Sequence, residues 1–190
     1  FDRAGGSNRA INDRVGLDVM IEGVKVLQRE PSSNSPRRIT ILGSTGSIGK
    51  STLDLIERNA DTYRIEALTG YRNVVALAEQ AKRFHARYVA IGDPDKYVEL
   101  KSALAGVDVE IGAGPGAIVE AAARDVDWIM AGIVGAAGLE SLLEAVRQGC
   151  VVAFANKECL VCAGDLMLEE IASSGATLLP VDSEHNAIFQ

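Results

Sequence analysis

Two groups of residues in this sequence have the types and spacing that binding chemistry requires, and each follows a segment with the pattern of a β-strand. The first is the glycine-rich segment 43–49, which comes directly after the apolar residues 39–42. The second is the pair of carboxylates Asp182 and Glu184, which comes directly after the segment 177–181. A glycine-rich turn can hold a phosphate group close to the backbone, and two carboxylates can offer oxygen ligands to a hard metal ion.

The glycine-rich segment predicts a turn that binds a dinucleotide. Gly43 permits a tight turn, Gly46 lets the backbone approach a pyrophosphate, and Gly49 lets the following helix pack closely on the strand. The free N–H groups and the dipole at the start of that helix attract phosphate charge. Hydroxyl groups within the segment add possible donors, and these belong to Ser44, Thr45 and Ser47.

The spacing of these glycines leaves a second interpretation open. It is G-x-x-G-x-x-G rather than G-x-G-x-x-G, and such a triplet can also be a simple loop and helix cap. Its place after the first strong strand pattern favours dinucleotide binding. No Lys-Ser or Lys-Thr follows directly on a G-x-x-x-x-G frame, so a P-loop for nucleoside triphosphates is not predicted.

The carboxylate pair predicts a divalent-metal site. In an extended segment, residues two apart face the same way, so Asp182 and Glu184 direct their oxygens to one point. Such oxygens suit Mg²⁺ or Mn²⁺. The alternative is that both acids belong to a solvated turn, and His185 by itself is more simply a structural residue.

Two further strand ends carry residues that fit a phosphorylated cofactor and substrate. Arg72 follows the second predicted strand, where an NAD enzyme would have an acidic residue for the ribose hydroxyls, so a 2′-phosphate and NADP are favoured. The alternative is a solvated surface arginine. Lys157 follows the strand at 151–155 and either binds an anionic or hydroxylated substrate or pairs with Glu158. Small residues at 131–138 leave room for a nicotinamide ring.

The elements that position these residues alternate between strand and helix patterns. We predict an α/β fold with a doubly wound, mostly parallel, Rossmann-like sheet and right-handed crossovers, in which ligands bind at the carboxyl ends of the strands. The predicted strands are 37–42, 63–69, 87–91, 107–111, 128–134, 151–155 and 177–181. The predicted helices are 47–59, 74–85, 95–105, 115–124, 139–148 and 158–173.

Composition narrows the possible partners and the cellular compartment. The chain has 190 residues and a formal net charge of −7, which argues against nucleic acid or an anionic membrane as the main partner. No apolar run approaches the roughly 20 residues of a membrane span, and no export signal opens the chain. Three cysteines without an export signal favour a reducing, cytoplasmic location.

Cys159 and Cys162 form a C-x-x-C. A redox or zinc role is possible for this pair, but we prefer the interpretation that both cysteines are buried packing residues.

The pattern divides the chain into three parts. Residues 1–36 read as an extension or tag-like segment, with one amphipathic helix spanning 17–27 and a Pro- and Ser-rich linker at 31–36. Residues 37–181 form the predicted cofactor-binding domain. Residues 182–190 are predicted to begin a catalytic, metal-binding region. Since the chain opens on Phe1 rather than Met, we expect a fragment or a processed form.

Taken together, these residues resemble the 1-deoxy-D-xylulose 5-phosphate reductoisomerase family, specifically its N-terminal portion. The resemblance covers 37–190 and excludes 1–36. The matching blocks are ITILGSTGSIGKSTLDLI at 39–56, GYRNV at 70–74, MAGIVGAAGL at 130–139, ANKECLV at 155–161 and LLPVDSEHNAIFQ at 178–190. Two mild departures are Tyr71, where many members have a smaller residue, and Cys159, where Ser is common.

The resemblance implies roles for individual residues. For the NADPH pyrophosphate turn it implies Thr45, Gly46, Ser47 and Ile48, flanked by Gly43 and Gly49. For the adenosine phosphate it implies Tyr71, Arg72 and Asn73, and for further cofactor contacts Asn156 and Glu158. It implies substrate contacts by Lys157, Ser183 and Glu184, metal ligation by Asp182 and Glu184, and catalytic roles for Lys157 and Glu184.

The resemblance also implies a reaction, the reductive isomerisation of 1-deoxy-D-xylulose 5-phosphate to 2-C-methyl-D-erythritol 4-phosphate in non-mevalonate isoprenoid biosynthesis. A metal would act as a Lewis acid on the oxygens of this phosphorylated sugar during rearrangement, and NADPH would reduce the resulting aldehyde. A homodimer is implied for the full-length enzyme. A third metal carboxylate, the phosphate site and a lid are expected beyond Gln190, so the chain alone is expected to be inactive.

Two other functions remain open at this point. One is another NADP oxidoreductase, of the semialdehyde or homoserine dehydrogenase type, which would use a catalytic Cys or Lys farther along and no metal pair. The other is a non-catalytic NADP-binding fragment.

Overall fold

The computed structural model describes residues 20–21, 24–25 and 35–181. The chain divides into two units, Phe1–Ser32 and Ser33–Gln190. In the first unit, β1 (Met20–Ile21) pairs antiparallel with β2 (Val24–Lys25). The helix predicted across 17–27 is therefore wrong at these four residues, while Leu17 and Leu27 lie outside the described part. The helical pattern gave no weight to Gly23, although a glycine costs about 1 kcal/mol in a helix interior.

The second unit contains a seven-stranded sheet in which every neighbouring pair is parallel. Its strands are β3 (Arg37–Leu42), β4 (Tyr63–Gly70), β5 (Tyr88–Ile91), β6 (Glu110–Ala113), β7 (Trp128–Ala131), β8 (Val151–Phe154) and β9 (Thr177–Pro180). They lie side by side in the order β6-β5-β4-β3-β7-β8-β9. The chain builds outward from β3 on one side and then returns to build outward from β7 on the other. The predicted doubly wound fold is confirmed, and its order reverses between β3 and β7, where such sheets bind ligands.

Six α-helices connect these strands. They are α1 (Ser47–Glu57), α2 (Val74–Phe84), α3 (Tyr97–Ala103), α4 (Pro115–Ala122), α5 (Leu139–Arg147) and α6 (Lys157–Ser174). Short 3₁₀ turns at Pro94–Lys96 and Ala136–Gly138 precede α3 and α5. Helix α6 is kinked at Ala163, whose φ of −142° is not helical.

Two predicted strands differ from the structure by more than one residue at an end. The strand predicted at 107–111 is Glu110–Ala113, because Val107 and Val109 pack beside the core before pairing with β5 begins. The strand predicted at 128–134 ends at Ala131, after which the N–H of Gly132 donates to the carbonyl of Leu42 (2.8 Å) and the chain turns. Each apolar run contains residues that pair in the strand and neighbouring residues that only pack beside the core. Hydrophobic periodicity alone does not separate these two kinds of residue.

Apolar layers cover both faces of the sheet. On one face, α1, α2 and α3 bury Leu53, Leu77 and Leu100. On the other, α4, α5 and α6 bury a second cluster that includes Leu142 and Met167. A parallel sheet covered on both faces needs strands that are apolar on both sides, and this is why the strand runs are nearly continuous in hydrophobicity.

A partly buried group of ion pairs lies near the amino ends of β5 and β6, away from the glycine-rich turn. The Arg124 side chain is only 18% exposed, and it pairs with Glu66 (3.2 Å) and with Glu110. Its guanidinium also lies 4.2 Å from the centre of the Tyr88 ring. Burial, followed by the hydrogen bond to Glu120, raises the pKa of the Tyr88 hydroxyl. This guanidinium thus compensates the carboxylate of Glu66, which the fold has removed from water.

We expect the Arg124→Met substitution to lower the free energy of unfolding by about 2–3 kcal/mol, because it leaves the buried Glu66 with only the more distant Arg87 (3.9 Å) as counterion. The matched control is Arg58→Met, since Arg58 pairs with Asp54 on the exposed surface of α1. That pair should contribute less than about 0.5 kcal/mol. Urea unfolding followed by the fluorescence of the single tryptophan, Trp128, measures both changes. Equal small losses in the two variants would contradict a stabilising role for Arg124.

Candidate functional site

The turn between β3 and α1 brings three backbone segments into direct contact. Gly43 has a φ of +83°, and a Cβ there would lie 3.1 Å from the carbonyl carbon and oxygen of Gly132. Its N–H donates to the hydroxyl of Thr69 (2.8 Å). Both the backbone conformation and the space therefore require glycine at position 43.

The other two glycines of the segment differ sharply from each other. A Cβ on Gly49 would lie 2.5 Å from the carbonyl oxygen of Gly43 and 2.5 Å from the Cα of Ser44. A Cβ on Gly46 would meet only the Gly43 oxygen, at 3.3 Å. Gly49 thus lets α1 pack against the turn, whereas Gly46 is exposed and leaves the backbone accessible from solvent.

Ser44 stabilises the turn from inside the protein. Its hydroxyl is fully buried and lies 2.7 Å from Oε1 of Gln80 and 3.1 Å from the carbonyl of Thr69. Nε2 of Gln80 donates in return to the carbonyl of Ser44 (3.0 Å). The expectation that Ser44 offers a donor to a ligand is therefore wrong, because its hydroxyl is already engaged with β4 and α2. Ser47 is exposed, as that expectation requires.

The first turn of α1 presents free backbone donors. Gly46 is its N-cap and provides no side-chain cap. Within the described part of the chain, the N–H groups of Ser47, Ile48 and Gly49 make no hydrogen bond. The helix opens at the carboxyl end of β3, beside β7, so these donors and the helix dipole favour an anion at this edge of the sheet.

The segment after β4 lies next to this turn, because β4 is the neighbour of β3. Tyr71 and Arg72 are both exposed, and the Arg72 guanidinium lies 5.6 Å from the centre of the Tyr71 ring. Asn73 caps α2, since its Oδ1 accepts a hydrogen bond from the N–H of Ala76 (3.1 Å). Asn73 therefore has a structural role in addition to the cofactor contact predicted for it.

Asp93, at the end of β5, is a residue that the sequence reasoning missed. Its Oδ2 accepts a hydrogen bond from Nε of Arg72 (2.6 Å), and its Oδ1 accepts one from the N–H of Asp95 (3.0 Å). These two bonds, the Arg72 bond first, hold the pKa of the Asp93 carboxyl below its ordinary value. The sequence did contain a signal for this residue. An Asp that follows an apolar run and precedes a proline, here Pro94, is a helix-capping pattern.

The loop after β7 is held by Asn156. This side chain is 2% exposed, and its Nδ2 donates to the carbonyls of Ile133 (2.9 Å) and Gly135 (2.8 Å). A Cβ on Gly138 would lie 2.6 Å from the Ile133 carbonyl, so the loop is also packed tightly against itself. The predicted cofactor residue Asn156 thus shapes the loop, while its buried Oδ1 has no protein partner.

The start of α6 carries the neighbouring predicted residues. Glu158 is exposed in the first turn. Lys157 begins the helix, and its side chain lies outside the described part of the structure. Asp182, Ser183, Glu184 and His185 also lie outside it. The last described residue, Val181, donates its N–H to the carbonyl of Phe154 (3.0 Å), so the described chain ends at the same edge of the sheet as the glycine-rich turn.

The C-x-x-C pair does not form a joint site. Cys159 is buried as predicted, its Sγ lies 3.8 Å from the carbonyl of Gly135, and burial raises the pKa of its thiol. Cys162 is exposed, so the prediction that it is buried is wrong; it lies directly before Ala163, where α6 is kinked. Among the described residues, no three His, Cys, Asp or Glu side chains are grouped so as to hold a metal ion.

None of the helices in the described part combines the length and the apolarity needed to cross a membrane.

The parallel sheet, its switch point and the glycine-rich turn define a Rossmann-like domain of the dinucleotide-binding class. The family model of 1-deoxy-D-xylulose 5-phosphate reductoisomerase matches residues 39–164, which is about two thirds of the chain. The chain therefore belongs to the 1-deoxy-D-xylulose 5-phosphate reductoisomerase family.

Curated relatives and solved structures agree with this assignment. The reductoisomerase of Zymomonas mobilis is 59% identical over 157 residues, or 83% of this chain and 40% of the relative. That of Rhodopseudomonas palustris is 54% identical over 167 residues, or 88% and 41%. The solved structure of the Zymomonas mobilis enzyme in complex with NADPH matches with a TM-score of 0.80 at 59% identity, covering 82% of this chain and 41% of that one. A reductoisomerase solved with magnesium matches with a TM-score of 0.78 at 46% identity, covering 82% and 39%.

The chain thus spans about two fifths of the length of the relatives it matches. The part that it spans corresponds to the Rossmann-like sheet, and the resemblance expected from the sequence blocks is confirmed at the level of the family.

We expect Gly49→Ala to lower the free energy of unfolding by about 1–3 kcal/mol, because the new Cβ meets backbone atoms that cannot move independently. Gly46→Ala is the matched control from the same turn. Its φ of −76° and ψ of 174° suit alanine, so its cost should stay below about 1 kcal/mol. Chemical unfolding of the two variants measures the difference. A loss for Gly46→Ala as large as that for Gly49→Ala would show that the close packing of α1 on the turn is not what makes Gly49 necessary for stability.

Proposed function

We propose that this chain is the NADPH-binding portion of an enzyme that converts 1-deoxy-D-xylulose 5-phosphate to 2-C-methyl-D-erythritol 4-phosphate with NADPH and a divalent metal. The single observation that carries the proposal is the glycine-rich turn at the switch point of the sheet, in a chain that belongs to the reductoisomerase family. A similar structure was solved with NADPH and another with magnesium, which supports both cofactors for this chain.

The pyrophosphate of NADPH would lie over the first turn of α1. Three unpaired N–H groups and the positive end of the helix dipole favour charge at this position. Exposed Gly46 leaves room for the phosphates to approach the backbone, and Thr45, Ser47 and Ile48 complete the predicted contacts. The fixed donors would bind the cofactor without reorganisation, because the buried bonds of Ser44 already hold the turn in place.

The 2′-phosphate would lie at Arg72, between Tyr71 and Asn73. Arg72 is exposed at the strand end next to the glycine-rich turn. A planar guanidinium can bind two phosphate oxygens at once. Toward the other side of the switch point, the loop held by Asn156 would border the nicotinamide ring, and Glu158 would add a further contact.

The substrate and metal residues come from the end of the chain and from α6. Lys157, Ser183 and Glu184 are the proposed substrate contacts, with Lys157 and Glu184 in catalytic roles. Asp182 and Glu184 would hold Mg²⁺ or Mn²⁺, because carboxylate oxygens are the ligands that these ions prefer. The metal, when bound, supplies Lewis-acid chemistry to the rearrangement. The residues of this chain bind the phosphorylated sugar at the end of β9 and orient it toward the cofactor.

Further proposals concern the protein as a whole. We assign residues 37–181 to the cofactor domain and 182–190 to the beginning of a catalytic region. The full-length enzyme would be a cytoplasmic homodimer, with no nucleic acid or membrane as partner. Family membership does not favour another NADP oxidoreductase. The alternative for this chain by itself is a non-catalytic NADP-binding role.

We predict that the chain binds NADPH more tightly than NADH and that Arg72→Ala removes this preference. The loss for NADPH should be about 1–3 kcal/mol, the size of lost charge-assisted hydrogen bonds, whereas NADH should be unaffected. Titration of cofactor fluorescence measures both affinities. The control is Arg64→Ala, because Arg64 is exposed near the opposite end of the same strand. Equal losses for NADPH and NADH would show that Arg72 does not read the 2′-phosphate.

We also predict that Asp182→Asn or Glu184→Gln, introduced into the full-length enzyme, removes most of kcat while NADPH binding stays nearly intact. Metal and pyrophosphate would be held at the ends of different strands, so the two functions should separate. In the 190-residue chain alone, metal affinity should be only millimolar, about −4 kcal/mol, because two carboxylates supply few of six ligands. Activity across a Mn²⁺ titration tests the first point and calorimetry the second. Full-rate turnover by the double variant would remove both acids from the mechanism.

A further inference from the structure

We propose that Asp93 is a positioning residue for the 2′-phosphate of NADPH and acts by holding Arg72 through its Nε. The inference rests on the proposed NADPH function. It adds a residue from a different strand, β5, to the cofactor specificity of the segment that follows β4.

The two partners differ in exposure in the way that such a role requires. Asp93 is 7% exposed, whereas the side chain of Arg72 is 66% exposed. The carboxylate is therefore a fixed, buried anchor, and the arginine extends from it into solvent. Both oxygens of Asp93 are occupied, one by Nε of Arg72 (2.6 Å) and the other by the N–H of Asp95 (3.0 Å). The carboxylate has little freedom to turn away from Arg72.

The backbone around the pair is also fixed. Pairing between β4 and β5 continues past the strand ends, with Gly92 N–H donating to the carbonyl of Gly70 (2.7 Å) and Asp93 N–H donating to that of Tyr71 (3.0 Å). A Cβ on Gly92 would lie 3.0 Å from Cδ2 of Tyr71, so the tyrosine ring lies close against this segment. Asp93 is thus bonded to two consecutive residues, Tyr71 through its backbone and Arg72 through its side chain.

Asp93 bonds to Nε of Arg72, and this leaves the two terminal nitrogens of the guanidinium, Nη1 and Nη2, available as donors to a ligand. In the described part of the chain, neither of these nitrogens makes a hydrogen bond. A fork of two N–H donors matches two phosphate oxygens. Ordering this long side chain before the ligand arrives reduces the conformational entropy lost on binding.

The positioning role can be separated from the capping role of the same residue. Asp93 caps the 3₁₀ turn Pro94–Lys96, and loss of the cap could disturb the segment generally. In Asp93→Asn the side chain has the same shape but only one acceptor oxygen, so it cannot serve both Arg72 and Asp95. In Asp93→Ser the shorter side chain retains capping ability but does not reach the guanidinium.

The experiment measures the affinities of NADPH and NADH for the 190-residue chain and for these two variants by cofactor fluorescence, with circular dichroism as the check on folding. We expect both variants to bind NADPH about tenfold more weakly and NADH within about twofold of the parent, the effect of losing one charge-assisted contact. The control is Asp95→Asn, which removes an exposed negative charge from the same turn without touching the bond to Arg72. Its NADPH-to-NADH ratio should not change.

A double variant identifies the route of the effect. Because Asp93 acts through Arg72, Asp93→Asn should weaken NADPH no further in an Arg72→Ala background. Unchanged or tighter NADPH binding by folded Asp93→Asn would overturn the inference, and so would equal losses for both cofactors, which indicate a structural role. A parent chain that shows no preference for NADPH would instead overturn the proposed function itself.

Discussion

The close approach of backbone to backbone around Gly43 is the contact on which the rest of the site depends. Gly43 lies against Gly132 of the loop after β7, and Gly49 brings α1 against the carbonyl of Gly43, where a Cβ would stand 2.5 Å away. The first turn of α1 therefore lies directly at the end of the central strand, with its N–H groups unpaired. Any side chain at these positions would move the helix away from the switch point and with it the anion-binding donors.

The order of the strands concentrates the functional residues. Because the sheet reverses direction of growth between β3 and β7, the glycine-rich turn, the segment 71–73 and the loop 132–138 all meet at one edge. Hydrogen bonds then fix each of them: Gln80 to Ser44, Asp93 to Arg72, and Asn156 to Ile133 and Gly135. Most of these bonds join segments far apart in the chain. The site is thus rigid before any ligand binds, which lowers the cost of binding a long, flexible dinucleotide.

The Arg124 ion pairs and the candidate cofactor residues lie at opposite ends of the sheet. Arg124 and its carboxylates cluster at the amino ends of β5 and β6, whereas the candidate cofactor residues follow the carboxyl ends of β3, β4 and β8. A substitution at one end can therefore change unfolding without changing binding. The Arg72–Asp93 pair combines a structural and a functional role. Its buried carboxylate caps a local turn and also holds an exposed arginine by a hydrogen bond.

The sequence by itself determined the alternation of strands and helices, the glycine-rich turn and the family, because these depend on local periodicity, glycine spacing and contiguous motifs. The expectations from the sequence were wrong about the helix at Met20, Ile21, Val24 and Lys25, about the limits of the strands at 107–111 and 128–134, and about the burial of Cys162. Apolar residues alone do not show whether a segment pairs as a strand or packs against the core in another way. Only the tertiary structure decided that Ser44 faces inward and that Asp93 reaches Arg72 across 21 residues of chain. Such contacts arise from the pairing of β4 with β5 and of β3 with β4, and no local pattern encodes which side chains those pairings bring together.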